Sequence, residues 1–177
     1  RFVDWEEEVQ VPAGQRVVQM KPVDLNALVS QATDSLQLSL ERQARTRLNL
    51  NPDLPTVDGD TNALQSILAT LLHEALRSTP ATSEVIVSSD LALPHKDAVQ
   101  SLPWTVVGPS VRLRLQMPNP ISEALLDRYF DPFRSGGAET PAKEGLALSV
   151  AQGIVLQHRG LVRACNLDGG SAIELYL

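Results

Sequence analysis

Apolar residues recur at helical spacing in two long stretches, and between and after them apolar and polar residues alternate. Leu25, Leu28, Val29, Ala32 and Leu36 fall on one side of a helix that Asp24 is placed to cap. Leu64, Ile67, Leu68, Leu71, Leu72, Ala75 and Leu76 form a second stripe, opened by an N-cap in the turn Asp58-Gly59-Asp60 and ended near Thr79-Pro80. A short helix is predicted over 122–129 and a longer one over 146–158, with Gly160 as its C-cap. Strands are predicted at 17–20, 45–50, 85–87 and 111–115, and a terminal hairpin joins 161–165 to 172–177 through Asp168-Gly169-Gly170. Residues 95–110, rich in loop formers, read as an insertion. The order of elements predicts an α/β (α+β) two-layer sandwich, a mostly antiparallel sheet with helices on one face.

Composition narrows the class. Hydrophobic residues make up 43% of the 177, charged residues 20% and aromatics 4%, so a globular chain with an aliphatic core is expected. A net charge of −6 and the lack of a Lys/Arg run argue against nucleic acid. One cysteine, Cys165, rules out an internal disulfide framework and suits a reducing compartment. The apolar run 146–156 is too short to span a membrane and holds Gln152 and Gly153. His73, His95, His158 and Cys165 lack metal-ligand spacing. There is no Walker loop and no nucleophile elbow.

Three stretches carry a resemblance. Leu71-Leu72-His73-Glu74-Ala75-Leu76-Arg77-Ser78-Thr79-Pro80 is followed by Phe130-Asp131-Pro132-Phe133 and then by Glu144-Gly145-Leu146-Ala147-Leu148-Ser149. In order and spacing these resemble the N, F and G2 boxes of the C-terminal ATP-binding (HATPase, Bergerat-type) domain of sensor histidine kinases. The likeness runs over nearly the whole chain and implies the histidine kinase-like ATPase fold. It implies a boundary as well: 1–22 as the end of an upstream dimerisation helix and linker, 23–177 as the ATP-binding domain. His73-Glu74 with Thr79-Pro80 also looks like a phosphoacceptor box, but the spacing is two residues too long and the flanks place it at the N box.

The residues that hold nucleotide in such domains are changed here. The N-box asparagine that helps hold magnesium is matched by Glu74, an earlier asparagine by Thr70, and the basic residue by Arg77. Glu74 is a magnesium ligand if ATP binds; otherwise Glu74 and Arg77 read as solvent-facing helix residues. The G1 aspartate that accepts from adenine is matched by Met117 or by Gln116, depending on whether alignment starts at the strand or at Phe130. Losing a hydrogen bond to a charged group removes roughly 1.5–3 kcal/mol, about ten- to a hundredfold in affinity. Pro118, Asn119 and Pro120 stand where glycines are expected, and prolines supply no backbone donor. In the G2 box, Lys143 and Ala147 replace glycines and only Gly145 remains, weakening a cradle built from backbone N–H groups at a helix N-terminus. Phe133 and Phe130 read as anchors at the base of the lid, 134–142, which is expected to be mobile.

The resemblance implies a two-component or phosphorelay domain, and its departures imply a pseudokinase with impaired or absent ATP binding that acts by protein contact. No cofactor is expected; ATP and magnesium enter only with the alternative, a divergent active kinase using Glu74, Gln116 and Lys143. A phosphotransfer scaffold docking a response regulator is a second alternative. Expected partners are a histidine kinase, a response regulator or the chain's own upstream dimerisation domain, with no nucleic acid and no direct membrane contact, in the cytoplasm.

Overall fold

The computed structural model describes residues 19–39, 45–100, 102–104, 106, 108–132 and 142–177. In chain order the elements are β1 (Lys21–Val23), α1 (Leu25–Ser39), β2 (Arg45–Leu50), β3 (Val57–Gly59), α2 (Thr61–Arg77), β4 (Glu84–Ala92), α3 (Lys96–Val99), β5 (Ser110–Met117), α4 (Glu123–Leu126), α5 (Ala142–Gln157), β6 (Leu161–Leu167) and β7 (Gly170–Tyr176). Five strands form one sheet in the order β2-β4-β5-β7-β6. β2 runs parallel to β4 and every other pair is antiparallel. β1 and β3 make a separate two-stranded ribbon.

The helices α1, α2 and α5 pack on one another and cover one face of this sheet. Strand alternation delivers the other half of the core: Val85 and Val87, Val111, Leu113 and Leu115, and Ile173 and Leu175 all point into the helical layer and are buried. Against them sit Leu64, Ile67, Leu68, Leu71 and Leu72 of α2, each at most 1% exposed. Burial of this stripe, rather than helix propensity, is what holds α2 in place. Among the described residues, no helix is long and apolar enough to cross a membrane.

Helix ends follow their local chemistry. The backbone N–H of Ala27 donates to Asp24 at 3.1 Å, so Asp24 caps α1 as expected. Asp60 caps α2 in the same way through Ala63 N–H, 3.0 Å. The stretch before it is not a turn: Val57–Gly59 is the strand β3, held by β1. The predicted strand at 17–20 is replaced by Lys21–Val23, the residues that face β3; residues 17 and 18 lie outside those described. The end of α5 also departs from expectation. Arg159, at φ 55°, takes the left-handed position, and Gly160 N–H reaches back to Val155 O at 3.0 Å. Glycine is needed at 160 because a Cβ there would stand 2.6 Å from the carbonyl oxygen of Tyr176.

His158 joins α5 to the start of α2. Its Nε2 accepts from the backbone N–H of Asp60 at 3.0 Å, so the proton resides on Nδ1, which donates to Ile154 O at 2.8 Å. The ring is 6% exposed. Replacing His158 by alanine would leave the Asp60 N–H without an acceptor in a site that water reaches poorly. The expected loss is about 1–3 kcal/mol, read as a lower denaturation midpoint at unchanged m-value.

Candidate functional site

The N-box residues lie on the last turns of α2. Thr70 is partly exposed on the helix rim and turns its hydroxyl back to Ser66 O at 3.0 Å. Glu74 points inward and is 4% exposed. Its Oε2 pairs with Arg77 Nη2 at 3.1 Å, and its Oε1 accepts from Tyr129 OH at 3.3 Å and from Ser78 Oγ at 3.4 Å. Glu74 is therefore not a solvent-facing helix residue: it ties α2 to the segment after α4 that leads toward Phe130 and Pro132. A buried carboxylate must be paired, and Arg77 with Tyr129 does this. The same arrangement is a poor fit for magnesium, since a metal would have to displace the guanidinium and compete with the phenol. Tyr129, 3% exposed, has no motif of its own in the sequence; it precedes the F-box stretch that begins at Phe130.

At the end of β5 the two candidates for the adenine contact take opposite faces of the sheet. Gln116 pairs with Ala172 and Ile86, and Met117 with Ser171. Successive strand residues point to opposite faces. Met117, 3% exposed, joins Leu113 and Leu115 on the helical face and belongs to the hydrophobic core, whereas Gln116 shares the opposite face with Arg112 and Arg114. Met117 thus faces the helical layer with a thioether, and Gln116 faces away from α2 and α5. Asn119 is exposed, and its carbonyl accepts from Ser171 Oγ at 2.6 Å.

The remaining glycine of the G2 box has a packing role. A Cβ on Gly145 would stand 2.7 Å from the carbonyl oxygen of Pro132, so the first turns of α5 press directly on backbone 131–132. Ala147, exposed on α5, lines two adjoining clefts together with Thr70 and Ser66. One, of about 350 Å³, is also bounded by Leu36, His73 and Glu74. The other, of about 360 Å³, is bounded by Ile67, Leu146, Val150 and Ile154. Thr70, Glu74 and Ala147 are therefore brought together around one cleft, with Arg77 on its acid. Gln116, Met117 and Asn119 do not line it. Phe133 and the lid 134–141 lie outside the described residues, as does the side chain of Lys143. Among the described residues no cluster of His, Cys, Asp and Glu is arranged to hold a metal ion.

No family model matches the chain. It is 28% identical over 161 residues to the sensor protein CutS of Streptomyces coelicolor, covering 89% of this chain and 36% of that protein. It is 26% identical over 162 residues to the signal transduction histidine-protein kinase AtoS of Escherichia coli, covering 90% of this chain and 24% of AtoS. The chain thus spans about a third or less of the curated relatives it matches. Among solved structures, the catalytic domain of the histidine kinase ThkA superposes with a TM-score of 0.66 at 19% identity, over 89% of this chain and 94% of that one. The chain has the fold of the C-terminal ATP-binding domain of sensor histidine kinases and is similar to such kinases in sequence along nearly its whole length.

Proposed function

We propose that this domain serves a cytoplasmic two-component signalling protein as a pseudokinase, which regulates its partners by contact and does not turn over ATP. The observation that carries this reading is Met117: the strand end that would meet adenine delivers an apolar side chain, 3% exposed, into the core. A purine amino group placed there finds no carboxylate to accept its hydrogen bond. The internal pairing of Glu74 acts in the same direction, because the one acid near the N box is already neutralised by Arg77. Phosphoryl transfer rests on positioned metal and phosphate, and neither has an evident holder among the described side chains. The partners proposed are a histidine kinase, a response regulator or the dimerisation helices of the same protein.

The open cleft beside Thr70, Glu74 and Ala147 favours a second reading, a divergent active kinase. Titration calorimetry with ATP and ADP, with and without magnesium, separates the two. No heat up to about millimolar nucleotide, a binding energy no better than roughly −4 kcal/mol, is the expected result. Magnesium-dependent micromolar binding would overturn the pseudokinase reading, and Glu74→Ala and Lys143→Ala would then locate the substitute contacts.

A further inference from the structure

The face of the sheet turned away from the helices is rich in arginine. Register places Arg45 and Arg47 of β2, Arg112 and Arg114 of β5 and Arg163 of β6 on this one face, with Glu84, Asp90 and Glu174 as its carboxylates. Five arginines against three acids leave a positive surplus on a chain whose net charge is −6. None of the five positive positions is lysine.

Strand β7 is roofed by these side chains. Arg114 and Arg163 are both register partners of Glu174 and reach it from opposite sides. Arg114 Nη2 stands 2.7 Å from Glu174 Oε1, and Arg163 Nε donates to Oε2 at 2.8 Å. Glu174 is fully buried beneath them, while the arginine side chains remain 29% and 27% exposed. Arg163 spends only its Nε on Glu174, so its two Nη groups keep donors directed elsewhere. Arg112 is held on Asp90 by two bonds, at 2.8 and 2.6 Å. At the β2 edge, Arg47 is 59% exposed and meets only a half-exposed Glu84.

We infer that this face docks an acidic segment of a protein partner, whose carboxylates take up the unused guanidinium donors along β5 and β6 and at β2. Arginine suits the role because its planar fork binds carboxylates in pairs and is less tightly hydrated than an ammonium. A short acidic segment can stay within this face, whereas an extended nucleic acid or an anionic membrane would also meet the negative charge of the rest of the molecule. The inference concerns the face opposite the nucleotide cleft and does not depend on whether ATP binds.

The test is a titration of the whole 177-residue chain with a short polyglutamate peptide, followed by amide chemical shifts. Shifts confined to the five-stranded sheet, and weakened by salt at about 150 mM, are expected. Arg45→Gln with Arg47→Gln, both distant from buried Glu174, should weaken binding roughly three- to tenfold. Arg114→Lys with Arg163→Lys keeps the charge over Glu174 but removes the fork, and should also weaken it. Absence of binding, shifts on the helical layer, or indifference to both double variants would overturn the inference. So would equal shifts from inorganic phosphate or from phosphatidylglycerol vesicles, which would assign the face to a free anion or a lipid surface.

Discussion

Glu174→Ala is expected to cost the domain about 3 kcal/mol, one of the largest effects of any single substitution here. Glu174 is 0% exposed and accepts from Arg114, Arg163 and Tyr176 OH, with Arg112 Nη1 at 3.5 Å. Removing it leaves up to three guanidiniums over β7 without their shared counter-charge. Breaking a buried pair costs about 3–5 kcal/mol; the low end applies because these arginines are partly exposed and can turn to water. Urea denaturation would read the loss directly, and a change below about 1 kcal/mol would show that the network contributes little.

The same network sets an acid limit. Burial alone would push the Glu174 carboxyl up, but hydrogen bonds from Arg163, Arg114 and Tyr176 together hold it below its ordinary value. A group whose folded pKa is depressed contributes stability that is present above its unfolded pKa, about 4.3, and is lost as pH falls through the lower folded value. Stability of the native chain should therefore fall with acidification below about pH 4, and the Glu174→Ala variant should show a shallower slope in that window.

Met117→Asp is expected to be the second large effect. If the end of β5 were a working adenine site, this change would supply the missing acceptor and nucleotide affinity would rise. With Met117 packed among Leu113, Leu115 and the helical layer, the new carboxylate instead enters a core position that is 3% exposed. An unpaired charge there should cost about 3–5 kcal/mol or be protonated at neutral pH. Thermal unfolding and calorimetry on the same sample give the answer: a lower melting temperature with no gain in ATP binding is expected. A gain in binding at unchanged stability would restore the active-kinase reading.

Much of the fold was legible because α2 repeats its leucines without interruption from Leu64 to Leu76 and Asp60 caps it with an ordinary aspartate bond. What failed locally failed for reasons of tertiary contact. Asp58-Gly59 has the composition of a turn, yet β1 pulls it into a strand by pairing. Gly160 looks like the left-handed end of α5, but the crowding carbonyl is that of Tyr176, sixteen positions on, and Arg159 takes the positive φ. The site was harder still. The burial of Glu74 depends on Tyr129, 55 residues away, so nothing near position 74 announces it. That Met117 faces the helices and Gln116 the opposite side needed the pleat of β5, which alignment from either end leaves open. The arginine face was missed because its residues come from three strands far apart in sequence, where no run of positive charge exists.

Gly145 bears on how relatives of this chain are judged. Its missing side chain is demanded by the backbone oxygen of Pro132, whatever occupies the cleft. Selection for a tight helix entry would preserve such a glycine after any use for phosphate had ended. On the pseudokinase reading proposed here, a signature search that scores this position as proof of catalysis would count silent domains as working ones, and the letters at 74 and 117 would be the ones to weigh.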